Sequence, residues 1–147
     1  MRHKVVTFDY DDQRGIATCY IQYGEFAVVE QATCHPDDAD FMSERTGCFI
    51  AECRANIRLL RIRRDVEVKP ILKSLKHMLS CMERSSHYNP HSYEAKILRR
   101  QIRQNERAYA ELNADIKAER EYLSDYLKNK DIMYQKMRKM ASKDKND

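Results

Sequence analysis

The residues with the most chemistry to offer sit around one short polar hinge, Ser85-Ser86-His87-Tyr88-Asn89-Pro90-His91-Ser92, with arginines on both sides. Before it stand Arg54, Arg58, Arg61 and Arg64; after it come Arg99, Arg103 and Arg107, with Arg100 alongside. Steps of three or four residues place each row along one helical face. An arginine fork grips phosphate through paired N–H donors, and Asn89 can both donate and accept at a base edge. Tyr88 or Tyr93 offers a ring face for a base, and such stacking is worth ~1–3 kcal/mol per base. This is the chemistry of a phosphate-bearing, nucleotide-like ligand. The same residues also read as a plain helix-breaking turn at Asn89-Pro90 with Ser92 as N-cap, and the local sequence leaves both readings open.

Catalysis has less to stand on. The sequence holds no glycine-rich phosphate loop, no serine elbow and no paired acids at a strand end, and its His-x-x-x-His spacing, His87 to His91, spans Asn89-Pro90 rather than a helix pattern. His77 lies near Lys73 and Lys76, and His87 and His91 flank Asn89-Pro90, but nothing fixes a Cys–His nucleophile geometry. A binding protein rather than an enzyme is expected, without a catalytic residue, metal ligand or cofactor. Cys19, Cys34, Cys48, Cys53 and Cys81 are odd in number and scattered through apolar patterns, which suits reduced thiols rather than a disulfide framework. Cys34-His35 with Cys48 and Cys53 has zinc-ligand types, but Cys48 and Cys53 are five apart and point to different sides of a predicted helix. The acidic run Asp37-Asp38-Ala39-Asp40 lacks the glycine-bearing loop of a calcium site, so turn and capping roles are expected.

The elements that must position these groups follow from periodicity. Val5 to Tyr10, Ile16 to Ile21 and Phe26 to Cys34 are β-branched and aromatic, separated by turns at Asp11 to Gly15 and at Tyr23-Gly24-Glu25. They predict an antiparallel meander over residues 1–46, with three or four strands. Past Gly47 a hundred residues follow without a glycine. A helix over 47–64 has Phe49, Ile50, Cys53, Ile57 and Leu60 to cover the sheet, and Thr46 or Ser43 as N-cap. Residues 65–69 interrupt the pattern, and Pro70 suits the first turn of a second helix burying Ile71, Leu72, Leu75, Met78, Leu79 and Met82. From Ser92 a long helix is expected to reach about residue 141. Stepping alternately four and three from Leu98 to Met140 meets thirteen positions, ten of them apolar or tyrosine, a coiled-coil signature interrupted by Asn105, Glu119 and Lys130. Residues 142–147 are expected to be disordered. The fold class is thus α+β, a single domain: a small N-terminal antiparallel sheet packed with helices, then a long oligomerising coiled-coil-like helix.

The net charge of +4 hides an asymmetry. Residues 1–47 balance to −5, so the remaining hundred carry +9 and the positive potential belongs to the helices. No window approaches the roughly 20 apolar residues of a membrane-spanning helix, and no signal-peptide stretch is evident. No membrane partner is expected, and the expected address is the cytoplasm. The apolar content suggests a core completed by association into a homo-oligomer.

Two further stretches carry a resemblance. Cys34-His35-Pro36-Asp37-Asp38-Ala39-Asp40-Phe41 leads into Thr46-Gly47-Cys48-Phe49-Ile50-Ala51-Glu52-Cys53-Arg54-Ala55. With Pro70 to His77 and Tyr88 to Lys96, this order resembles the phage anti-Thoeris sponge family, which sequesters cyclic ADP-ribose isomers made by bacterial TIR-domain immune enzymes. The resemblance covers most of the chain and rests on short stretches. It implies a sheet-and-helix protomer, dimers grouped into hexamers, capture of the signal without cleavage, action in the bacterial host cytoplasm, and in some members a separate arginine-lined site for cyclic di- or trinucleotides. Carried over, Asn89 and a wall from Met78 through Leu79 to Met82 would cradle the cyclic ADP-ribose. Arg99, Arg103 and Arg107 would serve phosphates, the latter two at a second site near a symmetry axis. The family's aromatic wall residue is missing where Leu79, Cys81 and Met82 stand, and Tyr88 is the candidate to replace it.

A different class stays open: a coiled-coil phage protein that binds nucleic acid or acts in assembly, its arginines tracking a phosphate backbone. The split of the arginines between two helices and the mildly basic tail argue against it. A nucleotide hydrolase using His87 or His91 is a third reading.

Overall fold

In the computed structural model, residues 2–41 and 43–146 are described. Three strands, β1 (Lys4–Asp11), β2 (Ile16–Tyr23) and β3 (Phe26–Thr33), form one antiparallel sheet in the order β1-β2-β3. The two turns explain the registers. At the first, Asp11 Oδ1 accepts from the amides of Gln13 and Arg14, both at 3.1 Å, and Gly15 closes the loop at φ 65°. At the second, Gly24 has φ 57° while Glu25 does not adopt positive φ, the pattern of a two-residue turn with glycine first. Pairing is continuous from Lys4↔Tyr23 to Asp11↔Ile16 and from Ile16↔Thr33 to Tyr23↔Phe26.

Three helices follow: α1 (Glu44–Ile62), α2 (Lys69–Glu83) and α3 (Tyr93–Asn146). Pro36–Phe41 forms a 3₁₀ turn where an acidic loop was expected. Ser43 caps α1, its Oγ accepting from the Thr46 amide at 3.4 Å, so the helix starts one turn earlier than Gly47. The break expected at residues 65–69 is absent: a π-helical stretch, Arg63–Val68, continues the chain between α1 and α2. Residues 142–146, expected to be disordered, continue α3; they contain no glycine or proline, and Lys143 and Lys145 in the last turn suit the helix dipole. Asp147 lies outside the described residues.

The chain divides into two compact units, Met1–Leu59 with Ala118–Asp147, and Leu60–Lys117. In the first, Ala17, Cys19, Ile21, Val28 and Ala32 turn one sheet face inward, and Ile50, Ala51, Cys53, Ala55 and Ile57 of α1 are buried with them. Gly47 is where helix meets sheet most closely: a Cβ there would lie 3.0 Å from the Cβ of Ala17. The C-terminal part of α3 joins through aromatic contacts. Phe49 stands 4.4 Å from Tyr126 and 5.8 Å from Tyr122, centroid to centroid, and Phe41 stands 5.3 Å from Tyr134. Burial pushes the Cys19 and Cys53 thiols up to about 11, and all five cysteines are free.

The second unit is a helical hairpin. Lys76 of α2 pairs with Glu106 of α3 at 3.2 Å, and Arg64 donates to Asn113 Oδ1 at 2.9 Å. Leu98, Ile102, Leu112 and Ile116 of α3 are buried, so this part of the expected seam is satisfied within the chain. A straight helix drifts about 20° per heptad against a strict seven-residue repeat. Beyond Lys130 the buried position accordingly moves to Tyr134, leaving Met133, Met137 and Met140 exposed. The apolar side expected for α2 is only partly covered: Leu72, Leu75, Leu79 and Met82 are half-buried, none is fully buried, and Ile71 and Met78 are exposed.

Candidate functional site

The two arginine rows meet different fates. On α1, Arg54 donates to the carbonyl of Gln31 at 2.9 Å, and Arg58 to the carbonyl of Val29 at 3.1 Å and to Glu30 Oε1 at 3.3 Å. These carbonyls lie on β3, whose outer edge has no neighbouring strand among the described residues. The guanidiniums close that edge, a known protection against strand-to-strand association. Arg64 is held by both oxygens of Asp65, at 2.8 and 3.1 Å, and by Asn113. The Arg64 hydrogen bonds hold the Asp65 carboxyl below its usual value. Arg54, Arg58 and Arg64 of the first row thus act in the fold, while Arg61 is exposed.

The hinge between α2 and α3 is a wound turn. Asn89 Oδ1 accepts from the His91 amide at 2.9 Å, the Asn89 carbonyl accepts from the Ser92 amide at 3.0 Å, and Ser92 Oγ caps α3 by accepting from the Ala95 amide at 3.2 Å. Arg99 clasps this turn from one helical turn and a half away. It donates to the Pro90 carbonyl at 2.8 Å and to the Tyr88 hydroxyl, with its guanidinium 5.9 Å from the Tyr88 ring centroid. Turn formation and arginine positioning are therefore one construction.

Beside the clasp lies an open groove of about 520 Å³, lined by Pro90, His91, Tyr93, Lys96, Ile97, Arg99, Arg100 and Arg103. Four of these side chains are cationic and none is acidic. Tyr93, the first residue of α3, is 75% exposed, and Ile97 gives the groove a half-buried apolar patch. Among the described residues, no hydrogen bond or ion pair engages the side-chain cations of Lys96, Arg100 or Arg103. Such a surface can bind phosphate through its cations while an aromatic ring covers a base or ribose.

Of the residues singled out from the sequence, the groove brings together Arg99 and Arg103, with Tyr88 and Asn89 held in the turn beneath Arg99. Arg107, one turn beyond Arg103, is exposed and does not line the groove. Met78, Leu79 and Met82 do not line it either: Leu79 and Met82 are half-buried and Met78 is 56% exposed. Lys96 was not picked out as a phosphate ligand. Its spacing to Arg100 and Arg103, four and then three, is the signal that could have found it.

A second, more enclosed cavity of about 110 Å³ lies in the sheet-bearing unit, where Tyr10, Cys34, His35, Lys130 and Tyr134 converge. Burial raises the Cys34 thiol pKa, with the nearby Asp38 adding to it and Lys130 opposing, and Cys34 Sγ donates to the His35 carbonyl at 3.4 Å. A protonated thiol is a poor nucleophile. Lys130, an interruption of the apolar seam, faces this cavity with its Nζ 5.2 Å from the Tyr134 ring centroid.

The membrane question can be stated from the helices: among the described residues none is long and apolar enough to cross a bilayer. No protein-family model, curated protein or solved structure matches this chain.

Proposed function

We propose that this protein is a phage anti-defence sponge that binds a cyclic ADP-ribose isomer and holds it without cleaving it, blocking TIR-based Thoeris immunity. The observation that carries the reading is the groove at the start of α3. Lys96, Arg100 and Arg103 line an opening that no acidic residue lines, next to an exposed Tyr93 and an Arg99 already fixed by the hinge. A cyclic ADP-ribose carries two phosphates and a purine, so cations and a ring at one opening match its chemistry. The resemblance of the hinge and helix segments supports the same ligand class. Cyclic di- or trinucleotides would use the same kind of contact, with Arg103 and Arg107 as the residues to serve them. Sequestration needs tight, preorganised binding, and an arginine clasped before the ligand arrives lowers the ordering cost. The uncovered apolar residues of α2 support association into a homo-oligomer, dimer-based and hexameric if the resemblance holds.

The test is to incubate the protein with a cyclic ADP-ribose isomer made by an activated TIR enzyme, filter, heat-denature the retained protein and chromatograph both fractions. Depletion from the filtrate with recovery of intact ligand is the expected result. Recovery of degraded ligand would make the protein an enzyme, and an undepleted filtrate would remove the proposal.

One observation favours a second reading. The exposed cationic row runs past the groove, from Lys96 through Arg100 and Arg103 to Arg107, as a phosphate-backbone track would. Duplex binding with a steep loss on adding salt would identify a nucleic-acid-binding or assembly protein.

A further inference from the structure

The cavity of the sheet-bearing unit holds a charge that the fold does not use. Lys130 stands where the seam of α3 calls for an apolar residue, and its side chain is only 18% exposed. The Tyr134 ring, 5.2 Å from Nζ, and the Asp131 carboxylate at 3.7 Å make the charge tolerable there. Neither takes a hydrogen bond from it: among the described residues, no acceptor engages the three donors of this ammonium. A largely buried donor group calls for a partner, and the space in front of Lys130 is the cavity itself.

The rest of the lining decides what that partner is. Its one acidic residue, Asp38, is held by Arg138, and His35 Nδ1 accepts from the Asp37 amide at 3.2 Å, as a neutral ring does. The charge left facing the cavity is therefore positive. The Tyr134 hydroxyl is spent on the Phe41 carbonyl at 3.3 Å, whereas no hydrogen bond engages the half-buried Tyr10 hydroxyl among the described residues. The floor is apolar, with Ala32 and Ile50 6% and 7% exposed, and the mouth is marked by the exposed Ser43. At about 110 Å³ the space is smaller than the roughly 150 Å³ that accepts benzene in an apolar cavity. We propose that this cavity binds a small free carboxylate with a tail of about two or three carbons, its oxygens on Lys130 and Tyr10 and its tail against Ala32 and Ile50. An acidic side chain of a protein partner would enter carboxylate first and set its charge on the apolar floor, so a free acid is the better fit. All of these residues belong to one compact unit, and none lines the groove at the start of α3.

Butyrate titrated into the full-length protein tests the site, with the Tyr10 and Tyr134 ring resonances as the local readout and calorimetry for affinity. The expected result is saturation at one per chain, with affinity rising about fourfold for each methylene from acetate to butyrate. Butyramide, of the same shape without the charge, should bind at least about tenfold more weakly. Lys130→Met, which gives the seam an apolar residue and so should keep the melting temperature, should weaken butyrate by at least about tenfold. Tyr10→Phe should weaken it several-fold, and tests the site without touching the seam. Arg100→Ala/Arg103→Ala should bind butyrate as the parent does, which separates this site from the α3 groove. No saturation in the millimolar range, equal binding of butyramide, unchanged affinity in a folded Lys130→Met, or loss of binding in the α3 double variant would overturn the proposal.

Discussion

Two rows of arginines with the same spacing do opposite work. On α1, Arg54 and Arg58 spend their donors on the outward carbonyls of Gln31 and Val29, so their charge closes a sheet edge. On α3, the side-chain cations of Lys96, Arg100 and Arg103 make no hydrogen bond or ion pair among the described residues and line a groove without acids. The difference lies in what faces each row. An edge strand presents unpaired carbonyl oxygens at fixed intervals, which suit guanidinium donors; the start of α3 presents only a tight turn whose polar groups are already satisfied by Asn89, Ser92 and Arg99. Helical spacing is thus evidence of a shared face, and the acceptor across from it decides whether the face is structural or available to a ligand.

The comparison is broken most directly by removing the available row. Each charge-assisted contact to phosphate is worth about 1.5–3 kcal/mol. The double variant Arg100→Ala/Arg103→Ala should therefore weaken binding of the proposed cyclic nucleotide by more than about a hundredfold. Its melting temperature should stay near that of the parent, because neither side chain holds the fold. Titration calorimetry beside a thermal melt reads both quantities; a large fall in melting temperature with unchanged affinity would show that the α3 row is structural after all.

The converse variant, Arg54→Ala/Arg58→Ala, should reverse the pattern. It uncovers two β3 carbonyls at a cost of about 1 kcal/mol each at this exposed edge. That corresponds to a melting shift on the order of 5 °C for a chain of this size. Ligand affinity should be unchanged, and the opened edge should increase association on heating, readable by light scattering.

Arg99 belongs to both camps, since it donates to the hinge and lines the groove. Arg99→Lys keeps the charge but loses the fork that reaches Pro90 and Tyr88 together. The expected outcome is a smaller loss on both axes: roughly 1 kcal/mol of stability and a binding defect below that of Arg103→Ala. Equal affinity in Arg99→Lys and the parent would mean that the clasp positions nothing the ligand uses.

Much of this molecule was legible in its sequence because the signals are local. Alternating β-branched and aromatic residues around Gly15 and Gly24 define the three-stranded meander, and the apolar stripes mark α1 to α3. The departures come from longer-range effects. The stretch after Ile62 stays helical by widening to a π turn, with Asp65 pairing to Arg64. The seam of α3 was read as an oligomer contact, yet Leu98, Ile102, Leu112 and Ile116 are buried within the chain. At the candidate site, the arginine spacing was visible, but no local pattern reveals that β3 lies across from Arg54 and Arg58. Lys96 went unnoticed because a single lysine near a helix start has no distinctive pattern until its neighbours on the helix are counted.

The last arginine of the first row gives the smallest test. Arg64 donates through two nitrogens to Asp65, and those hydrogen bonds are the main reason the Asp65 carboxyl ionises below its ordinary 3.8. A depressed carboxyl pKa means that the unfolded chain binds the proton more readily than the folded one. The resulting stability is fully present above the unfolded value and is lost as pH falls from there through the folded value. Asp65 is half exposed, so solvent screening keeps the contribution below about 1 kcal/mol. Denaturant melts of the parent and Asp65→Asn should therefore differ by that small amount at neutral pH and converge as pH falls below 3.8 and through the lower folded value. Parallel curves across this range would show that the Arg64–Asp65 contact adds nothing to the fold. Arg64 would then rest on Asn113 alone, and the structural role of the first row would be confined to Arg54 and Arg58 at the sheet edge.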